Sequence, residues 1–149
     1  MTTSDEDEGP RCFVPKRDTG CPIAFALDHF GDKWSLIIIR DLLMRGHETY
    51  GQFLQGDERI ATNILANRLK HLEEAGLVHK QQNAKNRRSN VYGLTQKGLA
   101  LAPLMLELVR WSASYDPNTK ANPQIVARIT SDREGLIKEI VQKRGGKDG

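Results

Sequence analysis

Residues 61–75 constrain the fold more than any other segment, because their apolar side chains are spaced to lie on one face of a helix. This stripe consists of Ile64, Leu65, Leu69 and Leu72. Gly76 ends the segment, and two strand-like segments follow at residues 77–82 and 90–95, joined by the polar link AKNRRS. A helix followed directly by a hairpin predicts a mostly helical fold with one small β-hairpin.

Three shorter helices are predicted before this segment. Residues 22–30 have apolar side chains at helical spacing and begin at a proline, which suits a first helical turn. Asp32 is a good N-cap for a second helix, and a third runs from about Thr49 to Leu54. The apolar run at residues 36–39 alone also fits a buried strand. The four-residue spacing that favours a helix there is carried by Trp34, Ile38 and Leu42.

A long final helix is predicted to begin after Thr95 and to reach Tyr115. Pro103 within it should kink or split the helix, because proline lacks the backbone N–H of the helical ladder. The helix is apolar on nearly every side, and a domain of this size has too few internal partners to cover it. We therefore expect part of this helix to form the interface of a homodimer.

Length and composition favour one globular domain of 149 residues, 28% of which are charged. No apolar run in the sequence reaches the roughly 20 residues of a membrane-spanning helix. The N-terminus is acidic at residues 5–8, the opposite of a signal peptide, so we expect a cytoplasmic protein. Cys12 and Cys21 are too few for a disulfide framework and are expected to be free thiols.

Basic residues are concentrated in one part of the chain. The net charge is only +3, but no acidic residue occurs between residues 75 and 106. The basic residues of this stretch are Lys80, Lys85, Arg87, Arg88 and Lys97. Such a stretch suits a polyanionic partner, because each neutralised phosphate releases counterions. Taken alone this is weak evidence, because basic loops are also common on proteins that bind no nucleic acid. It is the order of the predicted elements that makes double-stranded DNA the expected partner.

The order of elements matches the winged helix-turn-helix plan, in which a recognition helix enters the major groove and a basic wing follows the phosphates. Residues 61–75 fit the recognition helix, and asparagine suits bidentate reading of adenine. Thr62 is a better helix cap than Ala61. The predicted DNA contacts of the helix are Thr62, Asn63, Asn67, Arg68 and Lys70, with Arg68 at the border of the apolar stripe. Those of the wing are Lys85, Arg87 and Arg88.

Three longer motifs cover roughly residues 21–112: CPIAFALDHFGDKWSLIIIRDLL, IATNILANRLKHLEEAGLV and VYGLTQKGLALAPLMLELVRW. In this order and spacing they closely resemble the MarR-like, HxlR-type family of bacterial winged helix-turn-helix regulators. The resemblance implies a homodimer that represses or activates nearby genes, with the first and last helices at the interface. We expect a repressor that binds an inverted repeat. The wing departs from the family, which often has consecutive prolines where this chain has Asn-Arg-Arg-Ser at residues 86–89.

The predicted organisation has three parts. Residues 1–20 form a flexible arm, residues 21–116 form the DNA-binding and dimerisation domain, and residues 117–149 form an extension beyond the family motifs. One amphipathic helix is predicted in this extension, from about Asp132 to Lys143.

Cys21 lies where, by the resemblance, some relatives sense oxidants or electrophiles. A helix N-terminus stabilises a thiolate, which favours this role. The alternative is a small side chain that packs at the start of a helix. Cys12 on the arm could resolve a sulfenate formed at Cys21. The expected effector is therefore an oxidant or another small molecule.

Two other classes of function compete with DNA binding. An enzyme would need a nucleophile–base pair, a glycine-rich phosphate loop or a carboxylate dyad, and the sequence shows none of these. The four histidines, His29, His47, His71 and His79, lack metal-ligand spacing, so neither a metal nor a cofactor is expected. A winged-helix module that binds protein without specific DNA binding stays an alternative. Such a module would expose apolar residues where this chain has polar and basic ones.

Overall fold

The computed structural model describes residues 19–145; the predicted arm, apart from its last two residues, and Cys12 lie outside this range. Within this range the first elements are α1 (Pro22–Phe30), α2 (Lys33–Arg40), α3 (Tyr50–Leu54) and α4 (Thr62–Glu74). The hairpin strands β1 (Val78–Gln82) and β2 (Asn90–Leu94) follow. The remaining elements are α5 (Gln96–Leu99), α6 (Ala102–Tyr115), α7 (Pro123–Ser131) and α8 (Arg133–Gly145).

Polar side chains cap the first helices. Cys21 is the N-cap of α1, and its Sγ accepts a hydrogen bond from the backbone N–H of Ala24 at 3.5 Å. Asp32 caps α2 by accepting from the N–H groups of Trp34 and Ser35 at 3.1 and 3.0 Å. Helix α2 includes residues 36–39, so the helical interpretation of that run is confirmed.

A π-helical turn, Asp41–Arg45, continues α2 and ends at Gly46, whose φ of 70° is left-handed. Arg144 of α8 reaches this end of α2 and donates from Nε to the carbonyl oxygen of Leu43 at 2.9 Å. Helix ends leave carbonyl groups without helical partners, so this contact satisfies one of them. The C-terminal helix is thereby tied to the end of α2.

The hairpin is antiparallel, with Val78 opposite Leu94 and Gln82 opposite Asn90. The segment before α3 extends it, since Tyr92 donates its backbone N–H to the carbonyl oxygen of Glu48 at 2.8 Å. The hairpin is therefore attached to the helical part and not only to its own turn. The predicted fold class, mostly helical with a β-hairpin wing, is confirmed.

The main core joins α2, α4, the hairpin and α5. Its fully buried side chains include Ile38, Ile39, Leu65, Leu69 and Leu72, each at most 2% exposed. A smaller cluster of Leu106, Ile129 and Leu136 joins α6 to α7 and α8. The C-terminal helices therefore pack on the rest of the chain through their own apolar contacts.

The predicted split of the long final helix is confirmed. Thr95 caps α5, its hydroxyl oxygen accepting from the N–H of Gly98 at 3.1 Å. Helix α5 ends at Leu99, and α6 begins at Ala102 with Pro103 in its first turn, where the missing N–H costs no helical hydrogen bond.

Two sequence predictions are wrong in detail. The extension contains two helices where one was predicted: α7 begins at Pro123, and Asn122 caps it by accepting from the N–H of Gln124 at 2.9 Å. An asparagine cap followed by proline is a start signal that the sequence contains. At α4 the N-cap is Ala61 and not Thr62, and no side chain caps that end. Across residues 19–145, no helix is both long and apolar enough to span a membrane.

A side chain at position 98 should destabilise the fold, because a Cβ added to Gly98 would overlap the carbonyl oxygen of Leu77 and lie 2.9 Å from Cδ2 of Leu94. We expect Gly98→Ala to lower the free energy of unfolding by about 1–3 kcal/mol, the usual cost of overpacking. Gly51→Ala, in helix α3, is the matched control: its Cβ meets nothing within 4 Å, and alanine should stabilise the helix by about 0.5–1 kcal/mol. Urea unfolding measures both, and equal effects would contradict the packing described.

Candidate nucleic-acid interface

Helix α4 has a buried face and an open polar face. Leu65, Leu69 and Leu72 point into the core and are at most 2% exposed. The predicted contact residues on the other side of the helix are exposed: Thr62, Asn63, Asn67 and Lys70. The apolar stripe thus fixes which side chains of α4 can meet a partner.

The tip of the hairpin presents Lys85, Arg87 and Arg88, and all three are exposed. Its backbone is held by side chains of the loop itself: Asn86 Oδ1 accepts from the N–H of Arg88 at 3.2 Å, and Gln82 Nε2 donates to the carbonyl oxygen of Arg87 at 2.8 Å. These bonds give the turn a defined shape without the prolines common in the resembled family. The guanidinium groups are left on the surface.

Arg68 is placed differently from the other predicted contacts, because it is half-buried and already bound within the chain. Its Nη1 donates to Oδ1 of Asp32 at 3.2 Å, which links α4 to the N-terminus of α2. Its Nε and Nη2 donate to Oδ1 of Asn67 at 3.1 and 2.5 Å. Bidentate reading of adenine needs both amide atoms of an asparagine, and the oxygen of Asn67 is engaged here. Asn63 therefore presents the better geometry for that reading.

The Asp32 carboxylate stays charged in this arrangement. Partial burial raises its pKa, but hydrogen bonds from Ser35 and the charge and hydrogen bond of Arg68 outweigh that effect, so its pKa lies below the ordinary value. The carboxylate therefore serves at once as the cap of α2 and as the anchor of Arg68.

A second ion pair links the other end of α2 to the loop before α4. Arg40 donates from Nη1 to Oε1 of Glu58 at 2.7 Å and from Nη2 to Oδ1 of Asp41 at 2.7 Å. The hydrogen bond from Arg40 lowers the pKa of Glu58 to about 2. Sequence reasoning missed both ion pairs, because their partners are 36 and 18 residues apart and leave no local pattern.

Large apolar side chains are exposed on α1 and α6. On α1 they are Ile23, Phe25 and Leu27, at 70%, 51% and 55% exposure. On α6 they are Leu108, Trp111 and Tyr115, at 39%, 62% and 73% exposure. The rings of Trp111 and Tyr115 lie 5.4 Å apart between centroids. The exposed apolar surface is thus on the first and last predicted helices of the domain and not on α4 or the hairpin tip.

Cys21 is a free, exposed thiol at the N-cap of α1, so the predicted helix start is correct and the sulfur is open to reagents. In the part of the chain described, residues 19–145, no three His, Cys, Asp or Glu side chains are grouped as metal ligands.

Comparison with known proteins gives one consistent result. A family model described as HxlR-like helix-turn-helix matches residues 29–120. The HTH-type transcriptional regulator YybR of Bacillus subtilis (strain 168) is 30% identical over 95 residues, which are 64% of this chain and 75% of the relative.

Two solved structures are also similar. The redox regulator HypR, in its oxidised form, has 29% identity and a TM-score of 0.57, with 63% of this chain and 96% of HypR covered. The transcriptional regulator YodB from B. subtilis, in its reduced form, has 29% identity and a TM-score of 0.53, with 66% of this chain and 97% of YodB covered. YodB has also been solved after diamide treatment.

Proposed function

Because the chain belongs to the HxlR-like helix-turn-helix family of DNA-binding transcriptional regulators, we propose that it is a homodimeric repressor that binds an inverted-repeat operator. The observation that carries the proposal is the polar outer face of α4 beside a wing whose tip has three exposed basic side chains. Residues 21–116 supply both DNA binding and dimerisation in this proposal, and residues 117–149 extend that unit.

The two DNA-facing elements have different roles in the proposal. Asn63, with Thr62 beside it, reads base edges from the major groove, and Lys70 adds a phosphate contact. Lys85, Arg87 and Arg88 bind phosphates along the wing. Arg68 is a positioning residue, since its guanidinium already holds Asp32 and Asn67.

The exposed apolar side chains of α1 and α6 support the homodimer. Large apolar side chains exposed on a protein of this size can mark an interaction site, and a self-complementary surface closes into a two-fold dimer. Two α4 helices related by such an axis would enter successive major grooves about 34–36 Å apart, one turn of B-DNA.

Removing an aromatic anchor of the proposed interface should separate the subunits. We expect the wild-type chain to sediment as a dimer at micromolar concentration, and Trp111→Asp to raise the dimer dissociation constant at least tenfold, because buried aromatic anchors contribute most to such interfaces. Gln142→Ala, at an exposed site on α8, is the control and should sediment as the wild type does. A wild-type monomer that binds DNA one to one would overturn the dimer.

Mutations of the wing and of α4 should have different effects on DNA binding. Replacing Arg87 and Arg88 by Ala should weaken binding to every DNA sequence and reduce the salt dependence by about one unit for each phosphate that is no longer neutralised. Asn63→Ala should cost about 1–3 kcal/mol on the operator and leave non-specific binding nearly unchanged. Lys138→Ala, on α8, is the charge control. Gel shifts at several salt concentrations measure all three, and equal loss of specific and non-specific binding in both sets would contradict these roles.

We further propose that Cys21 senses oxidants, a role supported by its exposure at the N-terminus of α1 and by the similarity to HypR, which is described as a redox regulator. A peroxide would oxidise the Cys21 thiolate to a sulfenate and leave as water. After protonation to the sulfenic acid, a second thiol, such as that of Cys12, would form a disulfide with it and release another water. Either product at α1 would alter the proposed dimer interface and with it the spacing of the two α4 helices.

Oxidant treatment should release the wild-type protein from DNA and leave Cys21→Ser bound. We expect peroxide or diamide to weaken operator binding of the wild type at least tenfold, with recovery on adding a thiol reductant. Cys12→Ser separates the steps: if Cys12 resolves the sulfenate, this variant still responds but forms no intramolecular disulfide. If oxidant leaves wild-type binding unchanged, Cys21 is only a cap of α1.

A further inference from the structure

A cavity of about 690 Å³ lies between α2, α6 and α7, apart from the proposed DNA contacts and from Cys21. Its walls are mainly apolar and include Leu36 and Ile37 of α2, Met105, Leu108 and Val109 of α6, and Ile125 of α7. Small-molecule sites commonly have volumes of roughly 300–1,000 Å³ and walls of this kind. The cavity is therefore large enough to hold an aromatic or branched organic molecule.

The charged groups of the cavity are all basic among the described residues that line it: Arg40, Arg45 and Lys120. The charge of Arg40 is balanced by ion pairs with Glu58 and Asp41. Asp41 also pairs with Arg45, whose Nη1 lies 3.6 Å from its Oδ1. Lys120 is exposed, and within residues 19–145 no ion pair joins it to a carboxylate. An apolar cavity with unbalanced positive charge at its edge is complementary to an apolar molecule that carries a negative group.

We propose that this cavity binds a small organic anion, an aromatic or aliphatic carboxylate or sulfonate, with its apolar body against α2 and α6 and its charge beside Lys120. The site is independent of the proposed operator contacts. The proposed occupant is a small molecule and not a second copy of the chain. Of the three exposed apolar side chains of α6, Leu108 lines the cavity, whereas Trp111 and Tyr115 are not among its described lining residues.

The position of the cavity gives such a ligand access to the DNA-binding helix. One wall of the cavity is α2. The N-cap of α2, Asp32, accepts a hydrogen bond from Arg68 of α4. The last residue of α2, Arg40, donates to Glu58 in the loop before α4. A molecule resting on α2 would therefore contact the helix against which α4 is packed. Helix α7 and the loop before it, which supply Lys120 and Ala121, complete the wall.

Fluorescence titration of the full chain with 8-anilinonaphthalene-1-sulfonate, an apolar ring system with one sulfonate, tests the proposal. We expect one saturable site per chain. Ala121→Trp, which fills the cavity, should abolish that site, while Ala127→Trp on the exposed side of α7 should leave it intact.

Lys120→Gln should raise the Kd of the sulfonate about two- to fivefold, as expected for one partly exposed charge pair, and the control Lys138→Gln should leave that Kd unchanged. The uncharged N-phenyl-1-naphthylamine should bind Lys120→Gln and the wild type equally.

Equal binding of the sulfonate to the wild type and Ala121→Trp would overturn the proposal, and so would equal effects of Lys120→Gln on the two probes. A loss of dimer in Ala121→Trp by sedimentation would assign the cavity to a second copy and overturn it as well. Gel shifts on the same preparations distinguish failure of the cavity site from failure of the proposed DNA-binding function. A chain that binds DNA but no probe refutes the cavity site alone, and a chain that binds probe but no DNA supports the cavity while refuting the proposed function.

Discussion

The burial of one face of α4 against α2 determines where every proposed DNA contact of that helix lies. Leu65, Leu69 and Leu72 share one core with Ile38 and Ile39, and all five are almost completely removed from water. Each such side chain contributes about 1.5–3 kcal/mol, so exposing even one or two of them would cost a large part of the roughly 5–15 kcal/mol by which a whole domain is usually stable. Helix α4 therefore cannot rotate about its axis or leave α2 without unfolding the domain, and its polar face is fixed outward.

The polar contacts between α2 and α4 are too weak to keep α4 in place, but they determine the conformation of individual side chains on it. Partly exposed ion pairs such as Arg68–Asp32 and Arg40–Glu58 contribute at most about 1 kcal/mol each. These contacts determine which side chains of α4 are available to a DNA partner. Because Arg68 binds the oxygen of Asn67, two residues that sequence reasoning assigned to DNA are first of all partners of each other. Asn63, which has no such neighbour one residue away, is left as the proposed reader of bases.

Features encoded by neighbouring residues could be predicted from the sequence, and those formed across the fold could not. The apolar period of α4, the Asp32 cap, the split at Pro103 and the hairpin are local patterns, and all are present in the structure. Helix α7 was missed although its Asn122 cap, its proline and the four-residue spacing of its isoleucines are local signals of the same kind as those that predicted α1. The ion pair of Arg68 with Asp32, the anchoring of α8 by Arg144 and the cavity depend on segments distant in sequence, for which no pattern exists.

Two separate routes connect the proposed signals to α4. Near the C-terminal end of α1, His71 Nε2 of α4 lies 2.9 Å from the carbonyl oxygen of His29. The proposed chemical change at the start of α1 would therefore reach α4 through this nine-residue helix. The C-terminal extension acts through α2: α7 forms a wall of the cavity beside it, and Arg144 binds the carbonyl oxygens of Leu43 and Met44 at its end. Since a packed core moves between discrete arrangements and does not deform continuously, a shift of α1 or α2 must be accommodated at α4. The extension thus gives this chain a connection to the proposed recognition helix, α4, that the matched family region, residues 29–120, does not contain in full.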